Sequence, residues 1–479
     1  MTHLRKPHAT LELTPDELRK LGYAVIDEMV NHYYGMMDEA VTHTADRATL
    51  ESLLREPIPQ RPTPPEQVLE QAINDVFGHV MYTEHPRFFA FVPSPSNAVS
   101  AIADMLAAGY NAFAGTWLEA SGAAMVEVQT LEWLLELVGL PTDTGGGIFT
   151  SGGSLANLTA LHAARHAHCA DDDTRGMIYY SDQTHSSVDR ATRIMGLRPG
   201  QVRRLPSDGD FRLRVDDLRR AIAADRANGL TPFCVVANAG TTNTGTVDPL
   251  IELADLCAEE TIWLHVDAAY GGASVLSEQH KSLLAGIERA DSVTVDPHKW
   301  LFQPYELGCL LVRDRRKLRQ AFLLVPEYLK DTDKGEENVN FYDYGVQLTR
   351  GFRALKLWMS LKVFGLDAFR QAVDWGFEQA EIAAQFLAQN PRWQVVAGPQ
   401  MGVINFRYVP EREMSLEAVD ALQQAIVNEI VASGWAMIAT TILKGKKVIR
   451  LVLINPRTTS DDIRETIDRL AASGERLSR

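Results

Sequence analysis

Cysteine is scarce in this chain: four residues in 479, at positions 169, 234, 257 and 309, with no C-x-x-C pair among them. Such spacing argues against a disulfide framework, and three of the four lie within or beside apolar segments, as small core residues of a reducing compartment do. Positive charge is also short, with 47 Lys and Arg against 62 Asp and Glu and a formal net charge of −15. The best basic cluster, KGKK at 444–447, reads as a solvated loop, so the sustained basic face that a nucleic-acid partner needs is missing. No apolar stretch approaches the ~18 residues that cross a bilayer. The opening MTHLRKPHATLELTPDEL has no apolar signal core, and a cytoplasmic protein is expected, without membrane or nucleic-acid partners. There is no internal repeat, no G-K-[ST] and no G-x-G-x-x-G after a strand-like run, which excludes the usual nucleotide cradles.

What is present is a clear rhythm. Thr14, Pro15 and Glu17 form a capping-box pattern ahead of Leu18, Val25, Ile26, Met29 and Val30 at helical spacing. The proline-rich run at 56–67 reads as a connector, followed by a helical pattern over 66–82. MVEVQTLEWLLELVGLP predicts a helix stopped by Gly139 and Pro141. Short apolar runs at 146–150, 176–181, 233–238, 261–266, 291–295 and 307–312 then alternate with helical stretches such as 154–168, 248–260 and 279–288. This alternation predicts crossover connections on a mainly parallel sheet. VINFRYV and VIRLVLI, with flanking amphipathic helices, predict a smaller α+β domain. The expected division is a helical segment over 1–85, a large α/β domain over 86–366 and a small domain over 367–479.

In sheets of this class, ligands sit outside the carboxyl ends of the strands, so the residues that follow each strand are the informative ones. DPHKW at 296–300 places Lys299 and His298 on a turn between two apolar runs. A strand-end lysine ordinarily reaches water, and its companions must decide. After GGIFT comes SGGS, where Gly152, Gly153 and Ser154 open a helix whose N–H groups suit a phosphate; alone, the same letters describe a serine-capped helix. His185 follows GMIYYS, Thr242 follows FCVVAN, and Asp267 ends TIWLHV within HVDAAYGG. Each has an ordinary structural explanation by itself. Together, a phosphate cradle, an imidazole ring, a carboxylate and a lysine meet the needs of pyridoxal phosphate, whose aldehyde takes a lysine amine and whose ring nitrogen needs an anionic partner.

At these residues the chain resembles the group II pyridoxal-phosphate decarboxylases, the family of aromatic-L-amino-acid decarboxylase. The matching segments include HPRFFAF, FTSGGSLANLTAL, SDQTHSSVDRA, NAGTTNTGTVDPL, IWLHVDAAYGG, ADSVTVDPHKWL, VPEYLK and RGFRALKLW, in family order. The resemblance implies the fold type I, aspartate aminotransferase-like architecture, a homodimer embraced by the N-terminal segment, and pocket residues that cross the interface. It implies that Lys299 carries the cofactor as a Schiff base, Asp267 pairs with the ring nitrogen, His185 stacks on the ring, Ala269 packs beneath it and Thr242 touches the ring oxygen. By the same resemblance Gly153, Ser154 and Ser292 hold the phosphate, and His298 lies between cofactor and substrate carboxylate. Tyr328, in a charged lid-like segment, delivers a proton to Cα. Phe91, Pro93, Ser94, Phe113, Gly115 and Thr349 form the substrate pocket.

Two departures stand out. Asp296 replaces a frequent asparagine, and Gly115 and Thr83 stand where animal aromatic decarboxylases carry phenylalanine and tryptophan. The expected reaction is decarboxylation of an aromatic L-amino acid, with tyrosine, dopa, phenylalanine and tryptophan all open. The rivals are a transaminase or aldehyde synthase on the same cofactor, a decarboxylase of non-aromatic amino acids, and a catalytically silent scaffold. No metal site is expected: His162, His166 and His168 lack an accompanying carboxylate.

Overall fold

The computed structural model describes residues 11–169, 174–323 and 338–479. Helices Pro15–Gly35 (α1), Arg47–Leu54 (α2) and Pro65–Gln71 (α3) open the chain, and Ala98–Tyr110 (α4) and Trp117–Val138 (α5) lead into the first strand. The capping box at α1 forms as the sequence predicts, with Thr14 Oγ1 accepting from the Glu17 N–H and the Glu17 carboxylate accepting from the Thr14 N–H. The helical pattern over 66–82 is only partly realised, since α3 passes at Ala72 into a wider turn and then a tight one ending at His79.

The α/β unit is built from Gly146–Thr150 (β1), Gly153–His168 (α6), Gly176–Ser181 (β2), Ser186–Ile194 (α7), Val202–Leu205 (β3), Val215–Ala227 (α8), Thr231–Asn238 (β4), Leu250–Glu260 (α9), Trp263–Asp267 (β5), Ser292–Val295 (β6), Gly308–Val312 (β7) and Arg315–Phe322 (α10). Among the described residues these strands make a seven-stranded sheet in the order β1-β7-β6-β5-β4-β2-β3. Only β7 runs against the others, pairing antiparallel with both β1 and β6. Strands β2, β5, β6 and β7 are buried along their whole length, as near-continuous apolar runs covered on both faces must be. Helix α6 can lie close to the sheet because Ala156, Ala160, Ala163 and Ala164 present little bulk.

Strand β1 is an edge strand, and its outer backbone groups are met by a buried ion pair. Glu127 on α5 accepts from the Phe149 N–H, Arg350 donates to the Phe149 carbonyl, and the two side chains pair at 2.7 Å with no exposed surface. Charge therefore does here what a further strand would otherwise do.

The stretch 279–288 corrects a sequence expectation. It holds only short 3-10 turns, Lys281–Leu284 and Ile287–Arg289. Gly286 between them has φ +100°, and a Cβ there would lie 2.7 Å from the Ile251 backbone nitrogen, so the chain is pressed too closely on α9 to continue as a helix. Strand β3 is an addition: its Arg203 and Arg204 broke the apolar pattern, which an outermost strand tolerates.

After the large sheet, Ala354–Ala388 (α11) runs for 35 residues with a break at Gly365, φ +74°. Beyond it lie Trp393–Gln400 (β8), Val403–Tyr408 (β9), Leu416–Ala432 (α12), Ala439–Leu443 (β10), Lys446–Val452 (β11) and Ser460–Leu477 (α13). Their antiparallel sheet, β10-β11-β9-β8, has its own core around Phe406, Ile449, Leu451, Ile426 and Leu470. Cys234, Cys257 and Cys309 are buried thiols. Among the described residues no helix is long and apolar enough to cross a membrane.

Candidate active site

Strands β1, β2, β4, β5 and β6 point the same way, so the segments following them converge at one edge of the sheet. A cleft of about 340 Å³ opens there, lined among others by Gly152, Gly153, Ser154, His185, Thr242, Asp267, Ala269, Asp296, His298 and Lys299. Residues spread over nearly 150 positions of sequence are thereby brought to one place.

Lys299 stands on the turn after β6 with its Nζ 3.0 Å from Asp296 Oδ2. Burial works against its charge, but the carboxylates of Asp296 and Asp267 outweigh it and hold the ammonium above its ordinary pKa. Asp267, the last residue of β5, is buried; its Oδ1 accepts from the Ala269 N–H at 3.2 Å and its Oδ2 from Asn157 Nδ2 at 2.9 Å.

Asn157, on α6, is a site residue that the sequence did not announce. Its Oδ1 accepts from Thr294 Oγ1 at 2.7 Å and lies 3.0 Å from His265 Nε2, while its Nδ2 also reaches Ser187 Oγ. The donors run in one direction. Since Asn157 Oδ1 can only accept, His265 Nε2 carries the proton and its Nδ1 accepts from Ser292 Oγ, 2.8 Å away. Ser292 Oγ in turn accepts from Trp263 Nε1 at 2.7 Å. Burial pushes His265 down to about 4, with the Asp267 charge opposing, so the imidazole is neutral at physiological pH. A sequence clue did exist: His265 is two residues before Asp267 on one strand and so shares its face.

That network corrects the reading of Ser292. It is fully buried at the start of β6, at the far end of the strand from Asp296, and its hydroxyl is committed to Trp263 and His265. It does not line the cleft to which Gly153 and Ser154 contribute.

The start of α6 behaves differently from a serine-capped helix. Its N-cap is Gly152, at φ +149°, and among the described residues no side chain caps it. The first-turn N–H groups therefore face the cleft with the positive end of the helix dipole behind them. A Cβ on Gly153 would lie 2.8 Å from Asp296 Oδ2, and one on Gly308 at the start of β7 would lie 2.4 Å from the Gly152 Cα. Backbone approaches backbone there too closely for any side chain.

His185 is the N-cap of α7, with its Nδ1 accepting from the Ser187 N–H. Desolvation lowers its pKa against the pull of Asp267, and desolvation likewise lowers that of His298 against Asp296. His298 Nδ1 accepts from the Leu307 N–H, and its ring lies 5.0 Å from that of Tyr305, a second residue that sequence reasoning missed.

The expected substrate-pocket residues are not on this cleft within one chain. Ser94 is buried behind it, donating to the His298 carbonyl, and Pro93 is buried beside Ser94. Phe91 and Thr349 are exposed, and Phe113 packs so closely on Gly115 that a Cβ there would lie 2.6 Å from its ring. Tyr328 and most of the lid-like segment lie outside the described residues.

Comparison with known proteins agrees with this geometry. The family described as "Pyridoxal-dependent decarboxylase conserved domain" matches residues 48–409. The chain is 44% identical to an aromatic-L-amino-acid decarboxylase of Bacillus atrophaeus, with 98% of each chain covered. It is 30% identical to a phenylacetaldehyde synthase of Petunia hybrida over 93% of this chain and 92% of that one. The solved structure of Oryza sativa TDC with PLP and tryptamine superposes with a TM-score of 0.94 at 28% identity, covering 98% of this chain and 100% of the other. This chain belongs to the pyridoxal-dependent decarboxylases: it is an amino-acid decarboxylase of fold type I that uses pyridoxal phosphate.

Proposed function

We propose that the protein removes the carboxyl group of an aromatic L-amino acid, releasing the corresponding amine and carbon dioxide. The observation that carries this reading is the convergence, on one cleft, of a charged lysine, a buried carboxylate and a glycine turn that any Cβ would fill. These residues fit the cofactor. When bound, pyridoxal phosphate withdraws electrons from the substrate Cα, which lets the carboxylate leave.

The chain's own residues divide the remaining tasks. Lys299 would supply the amine that holds the cofactor. Asp267 keeps the ring nitrogen protonated; an opposite charge of this kind favours the protonated form by roughly 1–3 pKa units. His185 and Ala269 would pack against the cofactor ring, Thr242 would bond its ring oxygen, Gly153 and Ser154 would hold its phosphate, and His298 would face the substrate carboxylate. Tyr328 gives the proton that completes the amine.

We further propose that the protein acts as a homodimer in the cytoplasm, with no nucleic-acid or membrane partner. Leu18, Tyr23, Val30 and Tyr34 on α1 and Tyr110 on α4 are exposed, which is more apolar surface than a free-standing helical segment carries. In such a dimer Phe91, Phe113, Gly115 and Thr349 would form the aromatic wall of the neighbouring cleft, which reconciles their distance from the cleft of their own chain.

The test is a panel of the twenty amino acids, scored for carbon dioxide, amine, aldehyde, ammonia and peroxide. Amine with equimolar carbon dioxide from tyrosine, dopa, phenylalanine or tryptophan supports the reading. Aldehyde with ammonia and peroxide would transfer the assignment to an aldehyde synthase, and activity confined to acidic or small amino acids would remove the aromatic substrate. Lys299→Ala should abolish the visible absorbance of the holoenzyme.

A further inference from the structure

The loop after β4, residues 239–247, is drawn together at its base by its own backbone. Ala239 and Val247 form a bridge, and the Gly240 and Thr241 N–H groups both donate to the Thr246 carbonyl. Most of its hydroxyls are spent close by: Thr241 Oγ1 lies 2.8 Å from Thr244 Oγ1, which lies 2.8 Å from Thr246 Oγ1, and Thr246 Oγ1 donates to Gln400 Oε1 on β8 at 3.0 Å. Thr242 lines the cleft, and among the described residues its hydroxyl has no partner.

Asn243, next in sequence, does not line the cleft, and there the tip of the loop is held from outside. Its carbonyl accepts from Asn405 Nδ2 at 3.1 Å and from Arg450 Nε at 3.2 Å, and its Oδ1 accepts from Thr441 Oγ1 at 3.0 Å. These donors come one each from β9, β11 and β10, neighbouring strands of the small sheet. Asn405 and Arg450 are cross-strand partners, and Thr441 is two residues beyond Ala439, the other partner of Arg450, so the three side chains share one face. Asn405 and Arg450 are buried. On the opposite side, Asn243 Nδ2 donates to Gln183 Oε1 at 3.4 Å, on the turn that carries His185. A carbonyl with two donors and an amide engaged at both ends leave residue 243 little freedom to rotate, and the planar peptide passes that constraint to Thr242.

We propose that Asn243 is a positioning residue: through it the small sheet aims the Thr242 hydroxyl at the ring oxygen of the cofactor, in a cleft to which that sheet contributes no side chain. The inference rests on the contact between Thr242 and the ring oxygen given under the proposed function.

Two measurements on the full-length holoenzyme test it: the rate at which pyridoxal phosphate is lost on dialysis, and the visible absorption of the bound cofactor without substrate. Thr242→Val should speed the loss about 3- to 10-fold, the effect of one missing hydrogen bond, and should move the absorption band. Asn243→Ala keeps the carbonyl contacts, and Thr441→Val removes only the hydroxyl that faces Asn243; each should change both readings in the same direction as Thr242→Val. Thr441→Ser should restore the wild-type values. In the Thr242→Val background Asn243→Ala should add a factor of about two or less, because it acts through that hydroxyl. Full additivity, or an absorption band in Asn243→Ala that matches the wild type, would overturn the positioning role and leave Thr242 in place. A Thr242→Val holoenzyme identical to the wild type in both measurements would instead overturn the placement of Thr242, and this inference with it.

Discussion

Asn157 Nδ2 donates to Asp267 Oδ2 across 2.9 Å, joining the first turns of α6 to the last residue of β5. The amide cannot flip without losing this bond, because its oxygen is held by Thr294 and His265. Replacing Asn157 by Leu removes one donor from a buried carboxylate, a change of about 1.5–3 kcal/mol. Cofactor affinity should weaken about 10- to 100-fold, as measured by equilibrium dialysis of pyridoxal phosphate. Asn157→Asp should be worse at neutral pH than at pH 5, since two neighbouring carboxylates cannot both ionise cheaply.

Gly153→Ala separates cofactor binding from folding. The added methyl would meet Asp296 Oδ2 at 2.8 Å and the Ala269 methyl at 3.2 Å, while alanine suits a helix start at least as well as glycine. The cofactor-free variant should unfold in urea within about 1 kcal/mol of wild type. Its affinity for pyridoxal phosphate should nonetheless drop tenfold or more; an unchanged affinity would show that the turn does not hold the cofactor.

Acid should destabilise the cofactor-free fold as pH falls below about 6.5. Burial depresses His265 to about 4, and burial with the Arg87 charge does the same for His85. As pH falls from about 6.5 toward 4, the unfolded chain therefore binds two protons that the folded chain refuses, and stability is lost. Asp248 opposes this: burial raises it to about 6, so below that pH the folded state binds a proton that the unfolded state does not. For these three groups the balance is about one proton, or ~1.4 kcal/mol per pH unit lost on acidification, and the lowered His185 and His298 act in the same direction. Urea midpoints at pH 7, 6 and 5 check the sign, and His265→Gln should flatten the slope.

The Glu127–Arg350 pair makes a stability prediction away from the chemistry. Both side chains are fully buried, and Glu127→Ala leaves a guanidinium without its counter-charge, costing about 3–5 kcal/mol. Chemical denaturation should show it. A loss below 1 kcal/mol would mean that water reaches Arg350 in the variant.

Lys299 and Asp267 were legible in the sequence because the cofactor's chemistry prescribes residue types, and strand ends prescribe where such types gather. Asn157 was not, since its partner lies 110 positions away and a polar residue on a small-residue helix has no pattern of its own. Ser292 was misplaced for a related reason: letters show that a serine belongs to a strand but not which end of that strand faces the ligand. The stretch 279–288 carried helical spacing, yet the close approach of Gly286 to α9 is a tertiary constraint that spacing does not encode.

The reversed direction of β7 delivers its first residue, Gly308, directly beneath Gly152. The floor of the loop that opens α6 is thus an absent atom on another strand. A single methyl introduced at position 308 would lift that loop and misalign it, so the edge of the sheet where the cleft opens is governed in part by a residue with no side chain at all.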